Sequence, residues 1–441
     1  MRTFEITDGI SYQAAADYFT GRGDDTAREK AVQDKIETAR WVVEAVRKNG
    51  DAAVRDLTAR FDGVELAPEE FEVNREAIDA ALETVEPRLI AILERAHEHI
   101  RSFHARCLRE SWEETADDGT VLGQRITPIE SAGVYVPGGK AFYPSSVLMN
   151  IVPARVAGVE DIVMVSPPSY QGSIHPVVLA AARIAGATRV FRVGGAQAVA
   201  ALAYGTETIP AVTKITGPGN TFVTAAKALV RGVVEIDSEA GPSEVVVIAD
   251  GKAQAAYVAA EILAQAEHDE EALTVLITPS KDLAAAVRAR IAAEMEKLPR
   301  RSIMEQALAG QGTVILVRDL DDAVALTNLI APEHLSIQVE FPRKVADRIA
   351  NAGAMMLGGM TPVAAGDYYA GPNHILPTGR RARFSSPLTA EDFRKVTSIL
   401  YYSAERLRRE AEDIIQFAET EELYAHARSV AVRTGTVEVQ R

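Results

Sequence analysis

Hydrophobic positions along the chain fall into two rhythms. From Asp25 to about Trp112, apolar residues recur at three- and four-residue spacing through Ala27–Lys48, Ala52–Phe61 and Arg75–Arg109, which predicts helices. Asn49-Gly50 and Asp62-Gly63 are the expected stops. From Thr120 the pattern changes. Short apolar runs (Val121–Ile126, Gly133–Val136, Ile162–Val165, Val190–Val193, Val212–Ile215) alternate with helical stretches at Ser145–Ala157, Pro176–Ala185, Ala196–Ala203 and Thr221–Val230. That is a βαβ series and predicts a parallel sheet covered by helices. A second series follows, with strands expected at Val245–Ala249, Leu273–Thr278, Thr313–Val317, Ser336–Val339 and Ala354–Leu357. Its intervening helices are expected at Ala253–Glu267, Leu283–Lys297, Leu320–Leu329 and Arg343–Asn351.

The expected fold is therefore α/β. Two tandem Rossmann-like, incomplete parallel-sheet units carry helical N-terminal and C-terminal extensions. The seam between the units falls near I-D-S-E-A-G-P-S-E, residues 236–244. Beyond Thr389-A-E-Asp392, a capping signature, the run F-R-K-V-T-S-I-L-Y-Y and then Glu405–Glu419 read as helices.

Composition narrows the function. The 441 residues suffice for a large core, with 47% hydrophobic and 25% charged residues. A net charge of −15 without a basic stripe disfavours nucleic acid and anionic membrane as partners. No run approaches the length of a membrane helix, and the start M-R-T-F-E-I-T-D-G lacks the layout of a signal peptide, so a cytoplasmic protein is expected. The single cysteine, Cys107, excludes an internal disulfide and any Cys-based zinc site. Its helical context points to a structural thiol. His97, His99 and His104, interleaved with Glu94, Glu98 and Arg101, read as a solvated helix face without chemistry.

Three glycine turns end strands of the first series: Y-V-P-G-G-K (135–140), V-G-G-A-Q (193–197) and K-I-T-G-P-G-N-T-F-V (214–223). Open α/β sheets bind ligands at that edge. The third turn imitates a dinucleotide fingerprint, with Asp237 downstream, but Phe222 and Val223 stand near the place of the third glycine. These turns fit either a nucleotide or phosphate-bearing ligand or simply tight connections.

The second series carries the candidate chemistry. In A-Q-A-E-H-D, Gln265 and His268 are three apart and share a helix face. They suit an N/O metal site, or else an ordinary polar helix end. Glu333 and His334 follow a proline at a helix end, where a carboxylate and an imidazole could work in one site or merely terminate the helix. Asp367 and His374 lie in a segment rich in Gly, Pro and Tyr, which reads as a loop.

Taken together, G-P-G-N-T-F-V-T-A-A-K, I-D-S-E-A-G-P-S-E-V-V-V-I-A-D, A-Q-A-E-H-D, N-L-I-A-P-E-H-L, G-D-Y-Y-A-G-P-N-H-I-L-P-T, A-R-F-S-S-P-L and H-A-R-S-V resemble the histidinol dehydrogenase family, in the family's order and over nearly the whole chain. The resemblance implies oxidation of L-histidinol to L-histidine by two NAD, through bound L-histidinal, in the last steps of histidine biosynthesis. It implies one Zn2+ per subunit held by Gln265, His268, Asp367 and His426, the last from the partner subunit of a homodimer. Glu333 and His334 would be the acid–base pair. Ser243, His374 and Glu421 would hold substrate together with the metal and acid–base residues, and Tyr135, Gln197 and Asn220 would contact NAD. The implied division is an N-terminal arm (1–28), a helical segment packing with the second α/β unit (29–130), a first Rossmann-like unit on the NAD side (131–243), a second with the metal and catalytic residues (244–385), and a helical dimerisation segment (386–441). Arg380 and Arg381 receive no role. The rival readings are a same-family dehydrogenase for a different alcohol and a non-catalytic metabolite-binding α/β protein.

Overall fold

The computed structural model describes residues 1–21, 26–138, 141–238 and 241–435; for 26–32 only the backbone is described. The end of the Y-V-P-G-G-K turn and the middle of the 236–244 seam lie outside these residues. Two compact units result, one of Met1–Cys107 with Ile129–Phe393, the other of Leu108–Pro128 with Arg394–Arg441.

The larger unit contains both expected parallel sheets. The first has the strand order Arg189–Phe191, Asp161–Val165, Ser131–Tyr135, Lys214–Thr216, Glu235–Ile236. The second runs Arg2–Glu5, Thr313–Leu316, Leu273–Thr278, Glu244–Ala249, His334–Gln338, Ala354–Leu357. Every pair in both is parallel. Alternation sorts the second sheet's side chains into two cores, as a period of two requires. Val245, Val247 and Ala249 pack with helices Ala255–Ala266, Lys281–Met295 and Arg301–Gly310. Val246 and Ile248 pack with helices Gly9–Thr20 and Leu320–Ile330. Strands buried on both faces explain why these runs are continuously apolar rather than alternating.

The N-terminal arm is structural. Arg2–Glu5 pairs with Thr313–Leu316 as the edge strand of the second sheet, and an Asp8 capping box starts the helix that follows. The helical segment departs in part from expectation. Thr26–Asp62, broken at Gly50 by a φ of 52°, packs on helices Gly195–Tyr204 and Thr221–Val230 of the first sheet. Arg75–Thr84 and Pro87–Ala105 pack on helices Pro176–Ala185 and Pro144–Ala157. These helices therefore cover mainly the first α/β unit, where the buried stripe of Thr26–Asp62 meets Ala-rich helices. Pro87–Ala105 also reaches the second, Arg95 Nε donating to the Tyr369 hydroxyl at 2.9 Å and His99 Nδ1 lying 2.9 Å from the Tyr369 carbonyl oxygen. His104 is the second correction. It continues the buried stripe Leu93, Ala96 and Ile100, is fully buried, and its pKa is pushed down to about 4 by burial.

The smaller unit is an antiparallel sheet, Arg394–Tyr401, Val121–Pro128, Trp112–Thr115, with helices Ala404–Thr420 and Tyr424–Thr434 packed on each other. Two expectations fail here. Val121–Pro128 does not belong to the parallel series, and 394–401 is a strand rather than a helix. The β-branched and aromatic content of V-T-S-I-L-Y-Y fits a pleated surface better than a helix. Thr389 and Asp392 do cap, but only the short 3-10 turn Ala390–Phe393. Among the described residues no helix is long and apolar enough to cross a membrane.

Candidate active site

The candidate chemistry gathers at the edge where the strands of the second sheet begin. Helix Leu320–Ile330 ends with Ala331 in the left-handed region (φ 49°), and three residues later the chain enters strand His334–Gln338. His334 is thus the first residue of a strand, not the end of a helix. The register opposes His334 to Val245, which places Glu333 beside Glu244. Glu333 Oε2 accepts from the Glu244 backbone N–H at 2.7 Å, and the Glu333 N–H donates to Glu244 Oε2 at 3.2 Å. His334 Nδ1 lies 3.1 Å from the Glu244 carbonyl oxygen and 3.4 Å from Glu333 Oε2. Its Nε2 lies 3.2 Å from Asp367 Oδ1.

Burial works against the charged form of His334, but Glu333 and Asp367 outweigh it and hold its pKa well above the ordinary imidazole value. Asp367 shows the converse. Burial pushes its carboxyl up, yet the hydrogen bond and charge of His334, with His374 and His268 behind it, keep it below the usual range. A buried, charge-coupled imidazole flanked by two carboxylates is built for proton transfer.

Asp367 sits in the short helix Val363–Tyr368 rather than in a loop. The Val363 N–H at its start donates to Glu261 Oε2 at 3.0 Å, so a buried carboxylate holds this helix end. Glu261 lies one turn before Gln265 on helix Ala255–Ala266. Gln265 is 2% exposed and its Nε2 has no partner. A buried polar atom without a partner needs explanation, and an amide turned by half a rotation would present oxygen there instead. His268 follows just past the helix, its N–H donating to the Gln265 carbonyl at 3.2 Å. Gln265, His268 and Asp367 thus supply the N/O donors that a borderline cation accepts. Among the described residues no three His, Cys, Asp or Glu side chains form a ready cage. The remaining expected ligand, His426, is exposed on helix Tyr424–Thr434 of the smaller unit, and Glu421 caps the preceding helix there.

Ser243, half-buried, directly precedes Glu244, and its carbonyl accepts from the Leu273 N–H at 3.0 Å. His374 Nδ1 lies 2.9 Å from the Asp367 carbonyl oxygen and its Nε2 3.3 Å from Ser146 Oγ on helix Pro144–Ala157. Burial lowers the pKa of His374. Within the larger unit, therefore, Ser243, Glu333, His334, Asp367 and His374 converge on this edge, and Gln265 and His268 end the helix that leads to it.

The glycine turns of the first sheet lie at the opposite kind of edge, where strands end. Tyr135 is buried, and its hydroxyl accepts from the Gly195 N–H at 3.1 Å. Burial, aided by Asp62, pushes its pKa to about 12. Gln197 Nε2 donates to Asp62 Oδ2 at 3.2 Å. Asn220 caps helix Thr221–Val230, accepting from Phe222 and Val223 N–H at 3.0 and 3.1 Å. Gly217 has φ 113°, and a Cβ there would lie 2.1 Å from the Tyr135 carbonyl oxygen, so only glycine fits. Asp237 is committed to the fold. Its carboxylate accepts from the Gly217 N–H at 2.8 Å and pairs with Lys227, both side chains being almost fully buried.

Sequence reasoning missed Glu244, Glu261, Ser146, Asp62 and Lys227. The first two were within reach: Glu244 closes the quoted S-E-A-G-P-S-E segment and Glu261 lies one turn before Gln265. Ser146 and Asp62 join segments far apart in sequence, and Lys227 meets Gly217 and Asp237, ten residues to either side, only in the folded turn. Cys107 lies in the turn just past helix Pro87–Ala105, half-buried, its thiol pushed up by burial and by Glu391.

Similarity to known proteins gives the family. A family model described as histidinol dehydrogenase matches residues 25–434. The histidinol dehydrogenase of Heliobacterium mobile is 53% identical over 392 residues, covering 89% of this chain and 92% of that protein. That of Geobacter sulfurreducens is 48% identical over 436 residues, covering 98% and 100%. The crystal structure of histidinol dehydrogenase from Elizabethkingia anophelis superposes with a TM-score of 0.90 at 33% identity, covering 99% of this chain and 98% of that one. The chain belongs to the histidinol dehydrogenase family.

Proposed function

We propose that this chain oxidises L-histidinol to L-histidine with two NAD, through L-histidinal that stays bound, as a cytoplasmic homodimer with one Zn2+ per subunit. The observation that carries the reading is the buried His334, held between Glu333 and Asp367 at 3.4 and 3.2 Å, in a chain of this family. Gln265, His268 and Asp367 fit a zinc ion by donor type and by the unpartnered amide of Gln265, with His426 of the partner subunit as the fourth ligand in this reading. When bound, zinc would fix the imidazole and amine of the substrate, and NAD would take up a hydride in each half-reaction.

The chain's own residues supply the rest. His334 takes the hydroxyl proton as the alcohol becomes an aldehyde, and again as the aldehyde hydrate becomes the acid. Glu333 draws a proton from the water that attacks the aldehyde carbon. Ser243, His374 and Glu421 orient the substrate, and His374 is itself steadied by Ser146. Tyr135, Gln197 and Asn220 form the NAD side. Asn220 spends its side-chain oxygen on the helix N-terminus, which leaves its amide N–H groups for a ligand.

The deciding experiment combines purified protein, L-histidinol and NAD, with and without a chelator. Two NADH per L-histidine, abolished by metal removal and restored by Zn2+, is the expected result. Turnover of other alcohols without turnover of L-histidinol would favour the same-family rival.

A further inference from the structure

We propose that Glu244 is a positioning residue for the Glu333–His334 pair: one residue at the start of the central strand holds both members of the pair and the turn that follows His374. The proposal rests on the functional reading above. Four contacts carry it. The Glu244 N–H fixes Glu333 Oε2 at 2.7 Å, and the Glu244 carbonyl oxygen meets His334 Nδ1 at 3.1 Å. Its carboxylate accepts from two backbone donors, the Glu333 N–H on Oε2 at 3.2 Å and the Gly379 N–H on Oε1 at 2.8 Å.

The chemistry of those contacts explains why a carboxylate stands here. Two N–H groups aim at two oxygens, and only a carboxylate offers two acceptors. A glutamine in the same rotamer would satisfy one N–H and turn its own NH2 against the other. A buried carboxylate beside another carboxylate is costly unless it is used. Glu244 is 9% exposed, and burial together with the charge of Glu333 pushes its carboxyl up to about 7. The contact between His334 Nδ1 and the Glu244 carbonyl also fixes the imidazole, because a carbonyl oxygen accepts only from a protonated nitrogen. Nδ1 then carries a proton, and Nε2 is the nitrogen from which the Asp367 carboxylate accepts. Rotation of Glu333 and the orientation of His334 are thus set by one residue. Both Glu244 carboxylate oxygens are engaged by backbone, so its role is to position and not to react.

The test compares metal-loaded wild type with Glu244→Gln and Glu244→Asp. It uses L-histidinol and, separately, supplied L-histidinal, with thermal melting measured alongside. Wild-type turnover of L-histidinol is read first, because its absence removes the functional reading and this proposal with it. Given that turnover, Glu244→Gln is expected to lower kcat about 10- to 100-fold on both substrates, with KM changed less than about twofold. Glu244→Asp, which keeps two acceptors on a shorter stem, should fall between. Were Glu244→Gln not to fold, Glu244→Asp alone decides: a kcat loss of about fivefold or more at unchanged KM supports the assignment. A lowered melting temperature with wild-type kcat per metal-loaded subunit, or a change confined to KM, overturns it.

Discussion

His334 Nε2 lies 3.2 Å from Asp367 Oδ1, so the candidate base and a candidate metal ligand share one hydrogen bond. The two roles separate under substitution. His334→Gln keeps a polar side chain of similar reach but removes the proton acceptor. It is expected to lower kcat by roughly 10²- to 10⁴-fold, the usual contribution of a general base. Zinc content and L-histidinol affinity, measured by elemental analysis and calorimetry, should stay near wild type. An unchanged kcat would end the assignment of His334 as base.

Lys227 and Asp237 form a buried pair that braces the 217–220 turn, Lys227 donating also to the Gly217 carbonyl at 3.0 Å. Lys227→Met leaves Asp237 charged and buried without its partner. The expected cost is about 3–5 kcal/mol in urea unfolding, much of it recovered in Lys227→Met/Asp237→Leu. Because Asn220 ends the same turn, the single variant should also raise KM for NAD more than KM for L-histidinol. An equal rise in both would detach the turn from the cofactor.

How far the sequence carries is clearest at these residues. Apolar runs and turns predict both parallel sheets, since a strand buried on both faces leaves an uninterrupted signature. Glu333-His334 and Gln265/His268 stand out because each motif is local. Lys227 did not, as its charge is spent on Asp237 and a carbonyl that only the folded turn brings near. Asp237 completes the imitation of a dinucleotide fingerprint for the opposite reason: spacing alone does not reveal that a carboxylate is already occupied. The antiparallel partner of 394–401 lies at Val121–Pro128, far away in sequence, and a capping signature upstream gave the wrong local answer. The edges differ as well. Sequence rules point to strand ends for ligand binding, which suits the first sheet, whereas Glu333, His334 and Glu244 stand where strands begin.

Asp62 gives a pH prediction. Burial pushes its carboxyl from 3.8 up to about 6, the hydrogen bond from Gln197 pulling the other way. A carboxyl that holds its proton more tightly folded than unfolded favours the folded state in acid. That contribution is complete below a pH of about 3.8 and is lost as pH rises through about 6. Asp62→Asn can still accept from Gln197 but carries no charge to bury. Its melting temperature should exceed wild type at neutral pH, and the difference should vanish in acid. Equal melting curves at neutral pH would show that the charge carries no cost there.

The shared metal site yields the last prediction. In the reading above, Gln265, His268 and Asp367 of one subunit need His426 of the partner subunit. His268→Ala and His426→Ala should each lose zinc and activity alone. Unfolded and refolded together in equal amounts, half the dimers are mixed. Each mixed dimer holds one site with both substitutions and one with neither, so a site completed across a two-fold interface recovers about a quarter of wild-type activity and zinc. A site built within one chain gives two damaged sites in every mixed dimer, and recovery stays near zero. Zinc content makes the comparison independent of turnover, so the arrangement of ligands is decided even if a substitution harms catalysis by another route.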